Sequence, residues 1–268
     1  MAVPDPVPVV YLRCAGIPAS PVHRHSRTSK NITRTLSHLF PRDFLHQQGN
    51  LIAVSDLVHC HTCPVRYYYE KGKERVESDR YAICKQVAYH LGTPLDAAVI
   101  WDEVLAVRPS VDPAQREFLD LCIAACGKRD FSPAVQHDLR VMSEKHGIVG
   151  MVDRVFPDNG FSIIRATGAL PFGIPAADRL RIAALSVCME EMFGKDCPGG
   201  SVEYIPDGIA RFHEVQPRDR RTLLTVLRTV RAIQKGDIPA RPLNAPCGRC
   251  SYKEKCDNSG GRRLSELL

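Results

Sequence analysis

GIVGMVDRVFPDNGFSIIRATG, residues 147–168, is the stretch whose reading decides the fold. Two apolar segments flank PDNG, whose residues favour a tight turn, so the pattern predicts a β-hairpin. Asp153 falls on its first strand and Arg165 on its second. Acidic residues at such places of a hairpin commonly build metal-dependent active sites, and here one of the places holds an arginine. Residues two apart share a strand face, which groups Arg165 with Thr167.

Outward from the hairpin, DLRVMSE adds a further short strand on its N-terminal side. On its C-terminal side follow an amphipathic helix, IPAADRLRIAALSVCMEEMFG, and a hairpin, SVEYIPDGIARFHEV. A second helix, PRDRRTLLTVLRTVRAIQKG, leads into the C-terminal segment. Order begins near residue 52, where Ser55 and Asp56 offer an N-cap to LVHCHTCPVRYYYEKG, a helix that Pro64 interrupts. RYAICKQVAYHLG reads as a helix ending at Gly92, and PLDAAVIWDEVLAV and PAQREFLDLCIAACGK each open with proline as a first helical residue. This order predicts an α/β (α+β) fold, a small mixed sheet flanked by helices. Residues 1–50 form a Pro-rich basic tail, and 51–268 a single domain with a helical insert at about 80–130 and a C-terminal cysteine cluster.

The composition, 44% apolar and 25% charged, is that of a soluble protein without a membrane span. MAVPDPVPVV has neither the basic start nor the apolar run of a secretory signal, so a cytoplasmic location is expected. There the 11 cysteines stay reduced, as ligands or small core residues. A net charge of +6 permits attraction to polyanions without diagnosing it.

The most specific signal is C-x2-C-x5-C at Cys247, Cys250 and Cys256, beside Pro246 and Gly248. Thiolates this close can wrap one metal centre, but structural zinc and iron–sulfur clusters usually take four ligands. The fourth comes from afar, with Cys63 of CPVRYYY as the choice and Cys60 as its competitor. Zinc stays open, because Cys60, Cys63, Cys247 and Cys250 also make two C-x2-C pairs. Single cysteines such as Cys14, Cys84, Cys122, Cys126, Cys188 and Cys197 read as core residues.

A cysteine in CPVR, a GxxD hairpin and a terminal P…C-x2-C-x-Y-x3-C together resemble the RecB-like exonucleases associated with CRISPR systems, the fourth Cas family. The resemblance runs from about Ser55 to Cys256. It implies a restriction-endonuclease-like PD-(D/E)xK core, with Cys63, Cys247, Cys250 and Cys256 holding a [4Fe–4S] cluster that pins the two ends together. It also implies DNA as substrate and the CRISPR integrase proteins as partners. In that family the catalytic Mg or Mn is held by a helix histidine, the aspartate of GxxD and the glutamate of E-x-K. A Q-x3-Y on the next helix positions substrate.

By that resemblance His90 and Asp153, in Gly150-Met151-Val152-Asp153, are the remaining metal ligands. E-x-K falls on Arg165-Ala166-Thr167 and Q-x3-Y on Arg181 and Leu185, and FSIIRATGAL offers no Glu or Lys in any register. A divalent ion ~5 Å from a guanidinium, at an effective dielectric of ~20, meets roughly 6–7 kcal/mol of repulsion. Arginine does not escape by losing its proton. Arg165 is therefore expected to take the metal's place and pair with Asp153. A migrated carboxylate from Glu190, Glu191, Glu203 or Glu214 is the route by which activity could survive, and Lys85 reads as surface.

Two readings follow: a noncatalytic DNA-binding or scaffold protein that kept fold and cluster, or an active nuclease with an altered site. Arg179, Arg181, Arg218, Arg220, Arg221, Arg228 and Arg231 offer phosphate contacts. Tyr67, Tyr68 and Tyr69 could stack bases, although packing about the cluster is the more economical role.

Overall fold

The structure, a computed structural model, describes residues 51–158, 160–243 and 245–259; the expected tail lies outside the described residues. Its centre is a six-stranded mixed sheet. The strands are β1 (Ile52–Ala53), β2 (Gln136–Ser143), β3 (Ile148–Val155), β4 (Phe161–Arg165), β5 (Gly199–Tyr204) and β6 (Ile209–Glu214). Helices α1 (Val54–Thr62), α2 (Pro64–Glu70), α3 (Asp79–His90), α4 (Ala97–Val107) and α5 (Gln115–Cys126) precede β2. Helix α6 (Ala176–Phe193) joins β4 to β5, and α7 (Pro217–Gln234) and α8 (Lys253–Ser259) follow β6.

The path β1-β3-β4-β5-β6 carries β2 as an extra antiparallel partner of β3. β4 and β5 run parallel, and α6 crosses between them as a parallel pair requires. Strand β4 is buried through Ile164, so its two isoleucines serve opposite faces. Ile163 joins a core with α1, α6 and α7, including Leu57, Leu180, Leu185 and Leu227. Ile164 joins a second core with α3, α4 and α5, including Ile83, Ile100 and Leu119. Each fully buried aliphatic side chain contributes about 1.5–3 kcal/mol, so the sheet is held from both sides. α3 to α5 occupy the stretch expected as a helical insert.

Helix starts depart from the sequence reading in an instructive way. α1 begins at Val54 with no side-chain cap, because the chain turns into the helix straight from β1; Asp56 instead pairs with Arg75 at 2.9 Å. α4 starts after Asp96, whose carboxylate accepts from the N–H groups of Ala98 and Val99. Asp112 likewise accepts from Ala114 just ahead of α5. Pro94 and Pro113 thus lie outside their helices, since a carboxylate satisfies free N–H groups and a proline only removes one.

One glycine matters for the site. A Cβ on Gly150 would lie 2.6 Å from Leu185 Cδ2 and 2.8 Å from Val54 Cγ2. Only hydrogen lets α1 and α6 pack this closely on β3.

A candidate active site filled by its own charges, and a cysteine cavity

Strand β3 changes neighbours along one edge. β1 pairs with it at Ile148 and Val149, whereas β4 pairs only at Arg154 and Val155 and then splays away. Asp153 stands in this fork, 5% exposed. Its Oδ2 accepts the Ile164 N–H at 2.8 Å, replacing a ladder bond that the splay removes. Its Oδ1 accepts the Tyr81 hydroxyl at 3.1 Å. The candidate metal ligand is therefore already a structural acceptor.

Around it stand cations. Lys85 pairs with Asp138 at 3.0 Å and lies within electrostatic reach of Asp153. Arg181, one of the residues at the degenerate Q-x3-Y positions, lies within reach of Asp178, Asp153 and Tyr81. Arg165 does not pair with Asp153 as expected; its Nε lies 3.2 Å from Asp178 Oδ1. Strand alternation explains the difference. Ile164 gives its N–H to Asp153 and its side chain to the α3 core, which turns Arg165 toward α6. Thr167 lies beyond the end of β4 and is exposed.

Burial raises the Asp153 pKa, opposed by the Ile164 N–H, Lys85, Tyr81 and Arg181 in that order. A carboxyl whose folded pKa is raised contributes stability below the ordinary carboxylate range, near 4, and loses it as pH rises through the folded value. Wild type should therefore lose stability relative to Asp153→Asn as pH increases from about 4. Melting temperatures of both proteins across that window provide the check. A constant difference would remove the charged, buried carboxylate from the account.

His90, the last residue of α3, has a partner on the neighbouring helix. Its Nε2 lies 2.8 Å from Glu103 of α4, an ion pair when the imidazole is protonated. The α3 residues that face the fork are Tyr81, Lys85 and Tyr89, the last donating its hydroxyl to Asp138. Their four-residue spacing is the signal that could have found them. The possible migrated carboxylates are also committed or distant. Glu190 pairs with Arg220 at 2.9 Å, and Glu191 accepts from the Ser143 hydroxyl and the N–H groups of Glu144 and Lys145. Glu203 is sealed against Arg154 at 2.7 Å, and Glu214 is exposed at the end of β6.

The cysteine frame forms a second site. Cys63, between α1 and α2, accepts the Arg66 N–H on its sulfur at 3.5 Å. Cys63, Cys247, Cys250 and Cys256 line one small cavity together with Arg66 and Arg241. Cys60 points into the core, and burial pushes its thiol pKa up to about 12. Tyr252 lines the cavity and stacks on Tyr69 with ring centroids 5.4 Å apart, whereas Tyr67 is buried in the core. Among the described residues no three His, Cys, Asp or Glu side chains are grouped to hold a single metal ion. Cys84, Cys122, Cys126, Cys188 and Cys197 are buried core residues, and Cys14 lies outside the described residues.

The mixed sheet, its forked hairpin and the helices on both faces make an α/β fold. No protein-family profile matches the chain, and no curated protein does. Among solved structures, a crystal structure of a candidate exonuclease from Eubacterium rectale is similar, with TM-score 0.52 at 12% identity. The match covers 91% of this chain and 99% of the other. At that identity the likeness is one of fold. Among the described residues no helix is long and apolar enough to cross a membrane.

Proposed function

We propose that this chain is a nuclease-fold protein that binds DNA ends without hydrolysing them. The observation that carries the reading is the positive charge set around Asp153 by Lys85 and Arg181, beside a carboxylate whose oxygens also accept hydrogen bonds within the fold. Phosphodiester hydrolysis in such a site needs a divalent ion held by hard oxygen ligands. Here Lys85 and Arg181 supply the neutralising charge, and His90 is paired elsewhere.

In the same proposal Cys63, Cys247, Cys250 and Cys256 hold a [4Fe–4S] cluster that ties α2 to the C-terminal segment. Their shared cavity supports this, and so do Arg66 and Arg241 beside it, because a cluster ligated by four thiolates carries net negative charge. The cluster's contribution is taken to be structural. A place beside the CRISPR integrase proteins in handling spacer DNA rests on the sequence resemblance alone.

The test uses anaerobically purified full-length protein with single- and double-stranded DNA, in Mg2+ and in Mn2+. Binding that weakens steeply with salt is expected, with no cleavage above a metal-free control. Visible charge-transfer absorption is expected and should vanish in Cys247→Ser. Cleavage abolished by Asp153→Ala would establish the active-nuclease reading instead, and a colourless zinc-loaded protein would replace the cluster.

A further inference from the structure

The loop from β4 to α6 is fastened along its length. Arg211 donates to the carbonyls of Gly173, Leu170 and Pro171, Arg179 donates to that of Ile174, and Asp207 accepts from the Ala169 N–H. Yet Phe172, at the tip of this strapped loop, is 90% exposed. Fixing a loop costs conformational entropy, and an exposed Phe forgoes the free energy that its burial would give. A fastened segment that holds a ring out in water is arranged to meet something else.

Phe172 stands over an open cleft whose other walls include Arg179, Arg211, Phe212, His213 and Arg218, and among the described residues no acidic one lines it. The cleft continues as a charged stripe. Arg218, Arg221, Thr225 and Arg228 recur at helical spacing on the solvent face of α7, opposite the buried Leu223, Val226 and Val230. Arg218 to Arg228 spans about 15 Å of helix. Two other arginines of α7 are occupied: Arg220 pairs with Glu190, and Arg231 donates to the His146 carbonyl. Among the described residues the guanidiniums of Arg218, Arg221 and Arg228 have no such partner.

We propose that this cleft and stripe bind a single strand of nucleic acid, an unpaired base stacking on Phe172 and the phosphates following Arg218, Arg221 and Arg228. The proposal rests on the DNA-binding reading above and gives it a surface and a strand state. A ring in water beside a track of unpaired arginines matches a ligand that offers both a flat apolar face and repeating negative charge. A duplex keeps its base faces stacked inside, and an acidic peptide has no need of the ring.

The experiment is fluorescence anisotropy on the full-length protein with a labelled single-stranded DNA oligonucleotide and its duplex, over a salt series. Wild type should prefer the single strand. Phe172→Ala should weaken that binding roughly 5- to 100-fold. Arg221→Ala with Arg228→Ala should flatten the salt dependence by about 0.7 in log–log slope for each phosphate that is no longer neutralised. Phe172 and the two arginines are exposed, so folding is not at stake, and circular dichroism checks it. If wild type binds DNA but these variants bind equally well, or duplex is preferred, this surface is overturned and the DNA-binding reading stands. If wild type binds neither form at low salt, both fall.

Discussion

Arg154→Met is expected to destabilise the protein by about 3–5 kcal/mol, because it strands a buried carboxylate. Arg154 and Glu203 are both 0% exposed, and their 2.7 Å ion pair spans from β3 across β4 to β5. The same guanidinium donates to the carbonyls of Leu91, just after α3, and Ser132, beyond α5. One side chain thus fastens the α3–α5 layer to the sheet beside the fork. Burial raises the Glu203 pKa, and Arg154 is the largest influence holding it down. Converting Glu203→Leu in the Arg154→Met background removes the orphaned charge and should restore part of the stability. Full recovery is not expected, since the buried Leu91 carbonyl has lost its donor, at about 1–3 kcal/mol, and the half-buried Ser132 carbonyl has lost one too. Urea unfolding of the two single variants and the double variant measures the coupling. Additive losses would show that the pair is not a unit.

That ion pair marks where the sequence stopped being readable. Alternation sends Asp153 and Arg154 to opposite faces, yet Asp153 reaches Tyr81 and Arg154 reaches Leu91, both in the α3 layer. The β2–β3 register explains it: the Asp138–Asp153 pair is missing from the ladder, and Asp138 takes φ +52°. Period-two reasoning assumes a regular strand and fails where the strand is distorted. The hairpin itself, the later hairpin and helices α6 and α7 were legible, because apolar period and turn residues are local signals. The fork was not local, since it depends on where β4 leaves β3. For the same reason the approach of Tyr81 and Lys85 to Asp153 was not legible, since only tertiary packing turns them toward it. The meeting of Cys63 with the three C-terminal cysteines could be suspected from spacing, but only the docking of α2 against the C-terminal segment brings them to one cavity.

If Arg181 stands where a metal once did, Arg181→Gln should make the protein's stability depend on divalent ions. Arg181 lies within reach of Asp153 and Asp178, whose pKa values burial raises and nearby cations hold down. A unit charge pair at ~5 Å and an effective dielectric of ~20 is worth about 3 kcal/mol. Part of that is returned because the buried guanidinium no longer has to be desolvated. The net loss in chelator is therefore expected at about 1–3 kcal/mol. The glutamine removes the repulsion that excludes a divalent ion, and the oxygens of Asp153 keep lone pairs beyond those given to Tyr81 and Ile164. Mn2+ at ~10 times its dissociation constant would then return about 1.4 kcal/mol. Lys85 and Arg165 still stand nearby, so the affinity should be weak, and adding Lys85→Gln should strengthen it. Wild type should show no such response. Melting curves of wild type, Arg181→Gln and the double variant, with and without Mn2+, separate the outcomes. Equal metal stabilisation of wild type and variant would mean that an ion site survives beside the arginine and that the fork is not filled by its own charges.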